Sequence, residues 1–224
     1  MMRIERLKEI RQKVVEAGLI LARSGMTTGT YGNISCRVDK SCIAITPSGR
    51  DYEQLMPENI VATDLAGKKL EGTLTPSSEL SLHLEIYNNF PEAQAIVHTH
   101  SIFASALAVA HKDLPPVTEE LVQVVGGAVR CTDYTIAGTK ELGLQAVKAM
   151  EGGRNAALLA NHGTVCWGRD LKEALSTAQI VEKAAKIYCI AHSFGSAFKL
   201  DDQTAETLHG FYLNHYSKRQ RGEE

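Results

Sequence analysis

The 224-residue chain is 44% apolar and 22% charged, the balance of an ordinary globular protein, and it is long enough to bury a core without staples. Its 24 basic and 26 acidic side chains leave a formal net charge of −2, which excludes the basic excess of a nucleic-acid or anionic-membrane binder. The longest apolar run, Ile102 to Ala110 broken only by Ser105, falls far short of the ~20 residues a spanning helix needs, and the five cysteines are scattered with no Cys-x-x-Cys, so a cytoplasmic, reducing setting is expected.

The chain opens on MMRIERLKEIRQ, which alternates charged and apolar residues and offers no secretory h-region. Ile4, Leu7, Ile10, Val14, Val15, Leu19 and Ile20 recur at helical spacing, and Gly25 stands where a C-terminal cap belongs. After a Gly/Thr/Asn loop, NISCRV and CIAIT read as short strands turning at Asp39-Lys40; TPSG closes the second, and IVATD and KKLEG bracket another hairpin at Ala66-Gly67. TPSSELSLHLEIYNNF reads as a helix with Thr75 as N-cap and Pro76 as its first helical residue. AIVHTH is a strand, SIFASALAVAHK a helix, and TEELVQVVGG a helix ending at Gly126-Gly127. AVRCTDY is strand-like, GTKELGLQAVKAM helical, and AALLANHGTVCWG a strand pair or a strand with a tight turn at His162-Gly163. A long amphipathic helix from Leu171 and a last one over TAETLHGFYLNHY follow. Early hairpins and then strands mixed with helices predict an α/β fold with a mainly antiparallel or mixed sheet flanked by helices. One domain is expected over residues 1–216, with 217–224 (SKRQRGEE) as a solvated tail. No strand-GxGxxG-helix unit and no GxxxxGK[ST] is present, which argues against dinucleotide and P-loop sites.

The sharpest local feature is His98-Thr99-His100 at the end of an apolar strand. Residues i and i+2 of a strand share a face, so both imidazoles can reach one metal ion. His162, after the apolar run ALLA and before a glycine that permits a tight turn, is the third candidate. Three imidazoles with an open position is the pattern of a catalytic zinc-type site. The remaining histidines, His83, His111, His192, His209 and His215, read as surface or half-buried helix residues. Glu79, in the first turn of the helix after Thr75-Pro76, has two readings: a carboxylate complementing the helix dipole, or a metal-adjacent acid/base. Three segments offer small polar loops of the kind that hold phosphate or simply turn the chain: Gly32-Asn33, Thr46-Pro47-Ser48-Gly49, and Ser77-Ser78 at the helix start. Apart from Arg50 no cation stands nearby, so phosphate would be held by neutral donors.

GNIS, TPSG, PSSE, HTHS and NHG, in that order over about Ile4 to His192, together resemble the class II aldolase/adducin family, and within it the L-fuculose-1-phosphate type of short-chain sugar-phosphate aldolase. The resemblance implies an α/β/α sandwich with a mainly antiparallel central sheet, assembled as a homotetramer with active sites at subunit interfaces. It implies one zinc per subunit on His98, His100 and His162, with Glu79 touching the metal at rest and acting as acid/base; manganese, cobalt and iron suit the same donors. It places Gly32, Asn33, Thr46, Ser48, Gly49, Ser77 and Ser78 around a substrate phosphate. The implied chemistry of carbohydrate metabolism is cleavage of a ketose 1-phosphate to dihydroxyacetone phosphate and an aldehyde through an enediolate stabilised by the metal.

Where fuculose-type aldolases carry a neighbouring subunit's tyrosine, this chain has PVTEELVQVVGG, and the position falls on Glu120, or on Glu119 one register away. A glutamate there resembles the methylthioribulose-1-phosphate dehydratases, whereas Glu79 favours aldol chemistry; ribulose-5-phosphate 4-epimerases typically carry Asp at that position. The C-terminal tyrosine of the aldolases corresponds to Tyr216, with Tyr212 as second choice. A non-enzymatic adducin-like interaction domain would lack the metal histidines, and all three are present.

Overall fold

The computed structural model describes residues 2–223. A single eight-stranded sheet of order β4-β3-β2-β1-β5-β8-β7-β6 runs through its centre. The strands are β1 (Asn33–Asp39), β2 (Cys42–Ile45), β3 (Val61–Asp64), β4 (Lys69–Glu71), β5 (Ala95–Thr99), β6 (Arg130–Cys131), β7 (Ala156–Leu159) and β8 (Gly163–Gly168). Every pairing is antiparallel except β6 with β7.

Strand alternation sorts the core into two layers. Ile34, Cys36, Ala44, Ala95, Val97, Leu158 and Cys166 face one side, where α1 (Met2–Arg23), α3 (Ile102–Val109), α4 (Glu119–Val125) and α6 (Leu171–Ser193) pack. Ile43, Ile96, Ala157, Val165 and Trp167 face the other, against α2 (Leu80–Asn89) and α5 (Lys140–Ala149). The expected α/β/α sandwich with a mainly antiparallel sheet is therefore the fold observed. His98 shares the parity of Ile96, so its side chain leaves the sheet on the α2 side.

Helix α1 buries Leu7, Ile10, Val14 and Val15, while Ile4 and Ile20 from the same periodic set stay exposed. It ends as expected: Gly25 has φ 69°, and the Met26 N–H reaches back to the Leu21 carbonyl. Other helix starts are side-chain capped by Thr118, Thr139 and Asp170.

The helix expected from Thr75 begins only at Leu80. Pro76 instead forms an antiparallel bridge with Pro47; the Ser48 N–H donates to the Thr75 carbonyl and the Ser77 N–H to the Thr46 carbonyl. Pairing with a distant loop outcompetes the local capping signal. Helix α7 (Asp202–Phe211) continues through one π turn (Tyr212–Tyr216) into α8 (Ser217–Arg221). The segment expected as tail is thus helical at its start, and Ser217 is buried, receiving a hydrogen bond from Arg169. No helix among the described residues is long and apolar enough to cross a membrane.

Candidate active site

Three separate pieces of backbone carry the histidines to one point. His98 lies near the end of β5, in register with Asn33 on β1 and Val165 on β8. His100 sits one residue past β5, its N–H held by the Met26 carbonyl. His162 occupies the β7–β8 turn, which Asn161 closes with φ 56°, an uncommon conformation outside glycine. That turn is pinned to the end of α3: the Asn161 N–H donates to the Ala108 carbonyl and the Asn161 side chain bonds His111 at 2.6 Å. Two glycines allow the crowding. A Cβ on Gly163 would fall 2.3 Å from the Thr99 carbonyl oxygen, and one on Gly32 would fall 2.8 Å from the carbonyl oxygen of His98.

The ligand nitrogens of His98, His100 and His162 lie within 4.8 Å of one another. Glu79 joins them at the N-cap of α2, one position before the first turn in which it was expected. Its Oε2 is 2.9 Å from His98 Nε2, and its Oε1 is 3.2 Å from His162 Nε2. Asn33 Nδ2 donates to Glu79 Oε2 at 2.8 Å.

The donor chemistry tests whether a cation fits. His98 Nδ1 stands 2.9 Å from the Thr164 carbonyl, an acceptor only, so the ring proton sits on Nδ1. His98 Nε2 then presents a lone pair to a carboxylate oxygen at 2.9 Å and to His100 Nε2 at 3.0 Å, in a site where His98 is fully buried. Lone pairs converging on one point repel unless positive charge, a shared proton or a metal cation, lies between them. The buried Glu79 Oε1 also has no hydrogen-bond partner. Three imidazoles and a carboxylate fit a divalent cation of the zinc class.

Electrostatics favour the ligating forms. Burial, reinforced by the neighbouring histidines, lowers His100 to about 3, and burial with His98 beside it lowers His162 to about 4. Burial raises Glu79, but protons carried by His98 or His162 toward its oxygens and the Asn33 amide outweigh it and hold the carboxyl well below its ordinary range; a metal cation in the same place acts in the same sense. At neutral pH the two shifted imidazoles are neutral and Glu79 is ionised.

His83, expected to be at the surface or half-buried, is fully buried and hydrogen-bonded to both Ser35 and Asn33; burial lowers it to about 3. Its signal was in the sequence: Glu79, His83 and Tyr87 are four apart and share one face of α2. Together these depressed histidines set a pH dependence. The unfolded chain takes up protons below pH 6.5 that the folded chain refuses until about pH 3–4, so stability present above pH 6.5 is lost on acidification through that window. His83 alone contributes on the order of a few kcal/mol of this. The urea midpoint of metal-free protein is expected to fall steadily from pH 7 to 4; a flat profile would contradict the burial.

All the residues expected to hold phosphate except Thr46 line one cleft of about 340 Å³ with Glu79, His100 and His162. Thr46 lies behind it, buried, its hydroxyl accepting the Ile34 N–H. Tyr31, also lining the cleft, sets its ring 5.5 Å from that of His100. Glu120 and Tyr216 line a different cleft, of about 250 Å³, with Lys172, Glu173 and Tyr212, where neither Glu79 nor any of the three histidines is present. There Lys183 Nζ holds both Glu120 oxygens at 2.8–2.9 Å. Tyr212 is buried, its hydroxyl donating to Glu173, while Tyr216 stays half-exposed.

A family model of the Class II Aldolase and Adducin N-terminal domain matches residues 12–189. The 5-deoxy-D-ribulose 1-phosphate aldolase of Bacillus thuringiensis serovar kurstaki is 38% identical over 203 residues, 90% of this chain and 94% of that one. The L-fuculose phosphate aldolase of Escherichia coli K12 is 35% identical over 185 residues, 83% of this chain and 84% of that one. A solved L-fuculose 1-phosphate aldolase superposes with a TM-score of 0.88 at 38% identity, covering 92% of this chain and 96% of the other. With the sheet order, the histidine cluster and these matches in agreement, the chain belongs to the class II aldolase/adducin family and is one of its aldolases, a carbon–carbon lyase.

Proposed function

We propose that the protein is a divalent-metal-dependent aldolase that cleaves a ketose 1-phosphate of the L-fuculose 1-phosphate type to dihydroxyacetone phosphate and an aldehyde. The observation that carries this reading is the opening of Glu79, His100 and His162 into the same cleft as the Ser/Gly loops. His98, His100 and His162 would hold one zinc per subunit, or manganese, cobalt or iron. When bound, the metal supplies Lewis-acid stabilisation of the charge that develops on the substrate oxygens.

The chain's own groups do the rest. Ser77 Oγ accepts the Glu79 N–H, which leaves its own O–H to donate to phosphate. The Ser48 and Ser77 amides are spent on pairing their two loops, so the hydroxyls of Ser48, Ser77 and Ser78 serve the ligand, beside the small residues Gly32, Asn33 and Gly49. Ionised Glu79 is the base form, set to take the C3 proton of dihydroxyacetone phosphate in condensation. In cleavage it must first collect a proton and then deliver it to the carbon freed when C3–C4 breaks.

The family resemblance gives the remaining proton, on the C4 oxygen, to a group from a neighbouring subunit. Glu120 and Tyr216 would supply it from a neighbouring subunit of a homotetramer. Large apolar side chains exposed near the end of α6 and beyond it, Ile187, Ile190, Phe194 and Phe198, are suited to burial in such an assembly. Light scattering should give a tetramer. Glu120→Gln should cut cleavage ~10²–10⁴-fold with metal binding unchanged; a variant with near-normal turnover would leave Glu120 as a surface ion pair with Lys183. All five cysteines are free thiols, in keeping with a cytoplasmic enzyme.

Product analysis on a panel of ketose 1-phosphates with zinc present tests the reading. Dihydroxyacetone phosphate with lactaldehyde, glycolaldehyde or acetaldehyde supports it and identifies the sugar tail. Loss of water with no dihydroxyacetone phosphate establishes instead the dehydratase-like reading that Glu120 favours.

A further inference from the structure

Behind Glu79, four polar side chains stand in line in an otherwise apolar layer, starting from Asn33 at the cleft wall. The Tyr87 hydroxyl is 2.9 Å from Ser35 Oγ, which is 2.6 Å from His83 Nδ1. His83 Nε2 is 2.5 Å from Asn33 Oδ1, and Asn33 Nδ2 is 2.8 Å from Glu79 Oε2. These four and Glu79 are buried.

We propose that Tyr87, Ser35, His83 and Asn33 form one polarised hydrogen-bond chain that positions Glu79 against the histidine cluster, with His83 as the positioning residue at its centre. The direction follows from the end groups. An ionised carboxylate only accepts, so Asn33 must turn its NH₂ to Glu79 and its carbonyl oxygen to His83. His83 must then donate from Nε2; fully buried and lowered by that burial to about 3, it is neutral at pH 7, so its Nδ1 accepts. Ser35 donates to Nδ1, and its oxygen accepts from Tyr87. From Tyr87 through Asn33 each member donates toward Glu79, and the chain ends on the oxygen that faces His98 Nε2.

Packing alone does not call for this arrangement. A buried polar chain is at best even with apolar side chains of the same volume in stability, whereas a fully satisfied one fixes geometry. Two helical turns of α2 and two same-face residues of β1 supply it together, so sheet and helix jointly set the rotation of the Glu79 carboxylate. Partners of this kind behind ligating or acid/base groups typically change metal affinity or activity by 10–100-fold when removed.

The inference rests on the aldolase reading for its kinetic consequence only, and the test separates the two. In ¹⁵N-histidine-labelled, metal-free protein, long-range proton–nitrogen spectra should show His83 neutral with its proton on Nε2; a proton on Nδ1 would overturn the chain. Zinc titration of His83→Leu should show affinity ~10–100-fold weaker than wild type, with most of the loss recovered in His83→Gln, whose amide can donate from the Nε2 position. With a cleaved ketose 1-phosphate, kcat of zinc-saturated His83→Leu should fall by a similar factor while KM stays close to wild type. Wild-type zinc affinity and kcat in His83→Leu would make the chain structural only. If no ketose 1-phosphate is cleaved by the wild type, the functional reading fails, and the spectra and zinc affinities still decide the chain. Should His83→Leu not fold, Ser35→Ala leaves His83 in place and is expected to lose the single Nε2–H tautomer and to weaken zinc; an unchanged spectrum and affinity there would overturn the proposal.

Discussion

His98→Ala is expected to lose the bound metal and the cleavage activity together. His98 is fully buried, its Nδ1–H is fixed on the Thr164 carbonyl, and its Nε2 faces both Glu79 and His100. Removing it takes one of three imidazoles from a zinc-type site, which catalytic sites of this kind do not have to spare. It also leaves Glu79 without the neighbour that most lowers its pKa. Metal analysis of the purified variant should give far less than one zinc per subunit, and turnover should fall below detection. A variant that retains both stoichiometry and turnover would show that the histidine cluster is not the metal site.

Glu79→Gln separates metal binding from proton transfer. Glutamine has the same shape, its carbonyl oxygen can still accept the Asn33 amide, and the three imidazoles remain. It cannot hold or move the proton. The expected result is retained zinc, a KM close to wild type, and a kcat lower by ~10²–10⁴, the range for losing a general acid/base. Exchange of a C3 proton of dihydroxyacetone phosphate with solvent deuterium should be lost in parallel, because it asks only for the base form that the structure holds ionised. Normal exchange in Glu79→Gln would move the acid/base role to another group.

Much of this site was legible residue by residue because its signals are local. The period of two in a strand puts His98 and His100 on one face, and the structure brings their Nε2 atoms 3.0 Å apart. The apolar run before His162 and the glycine after it marked a turn at a strand end. The alternation of Ile34 and Cys36 with Asn33 and Ser35 already separates a core-facing set from a polar one on β1. The helix spacing of Glu79, His83 and Tyr87 was equally present, but it carries no meaning until β1 is known to lie across from α2.

Local pattern carries most of the element types, the shared face of His98 and His100, and the order of the motifs that mark the family. Which distant segments meet is settled by the packed fold. Thr75-Pro76 has the form of a helix start, and locally nothing opposes it; the bridge from Pro76 to Pro47 delays the helix to Leu80 and sets Ser77 and Ser78 beside Ser48 and Gly49. Glu120 and Tyr216, far apart in sequence, come to share a cleft apart from the histidines, and His83, readable as a surface or half-buried residue, is fully interior. The reason is physical. Periodicity and capping act over one or two turns of chain, whereas burial and strand pairing between remote segments depend on the closed sheet, where the free energy of non-local contacts outweighs a local preference of ~1 kcal/mol.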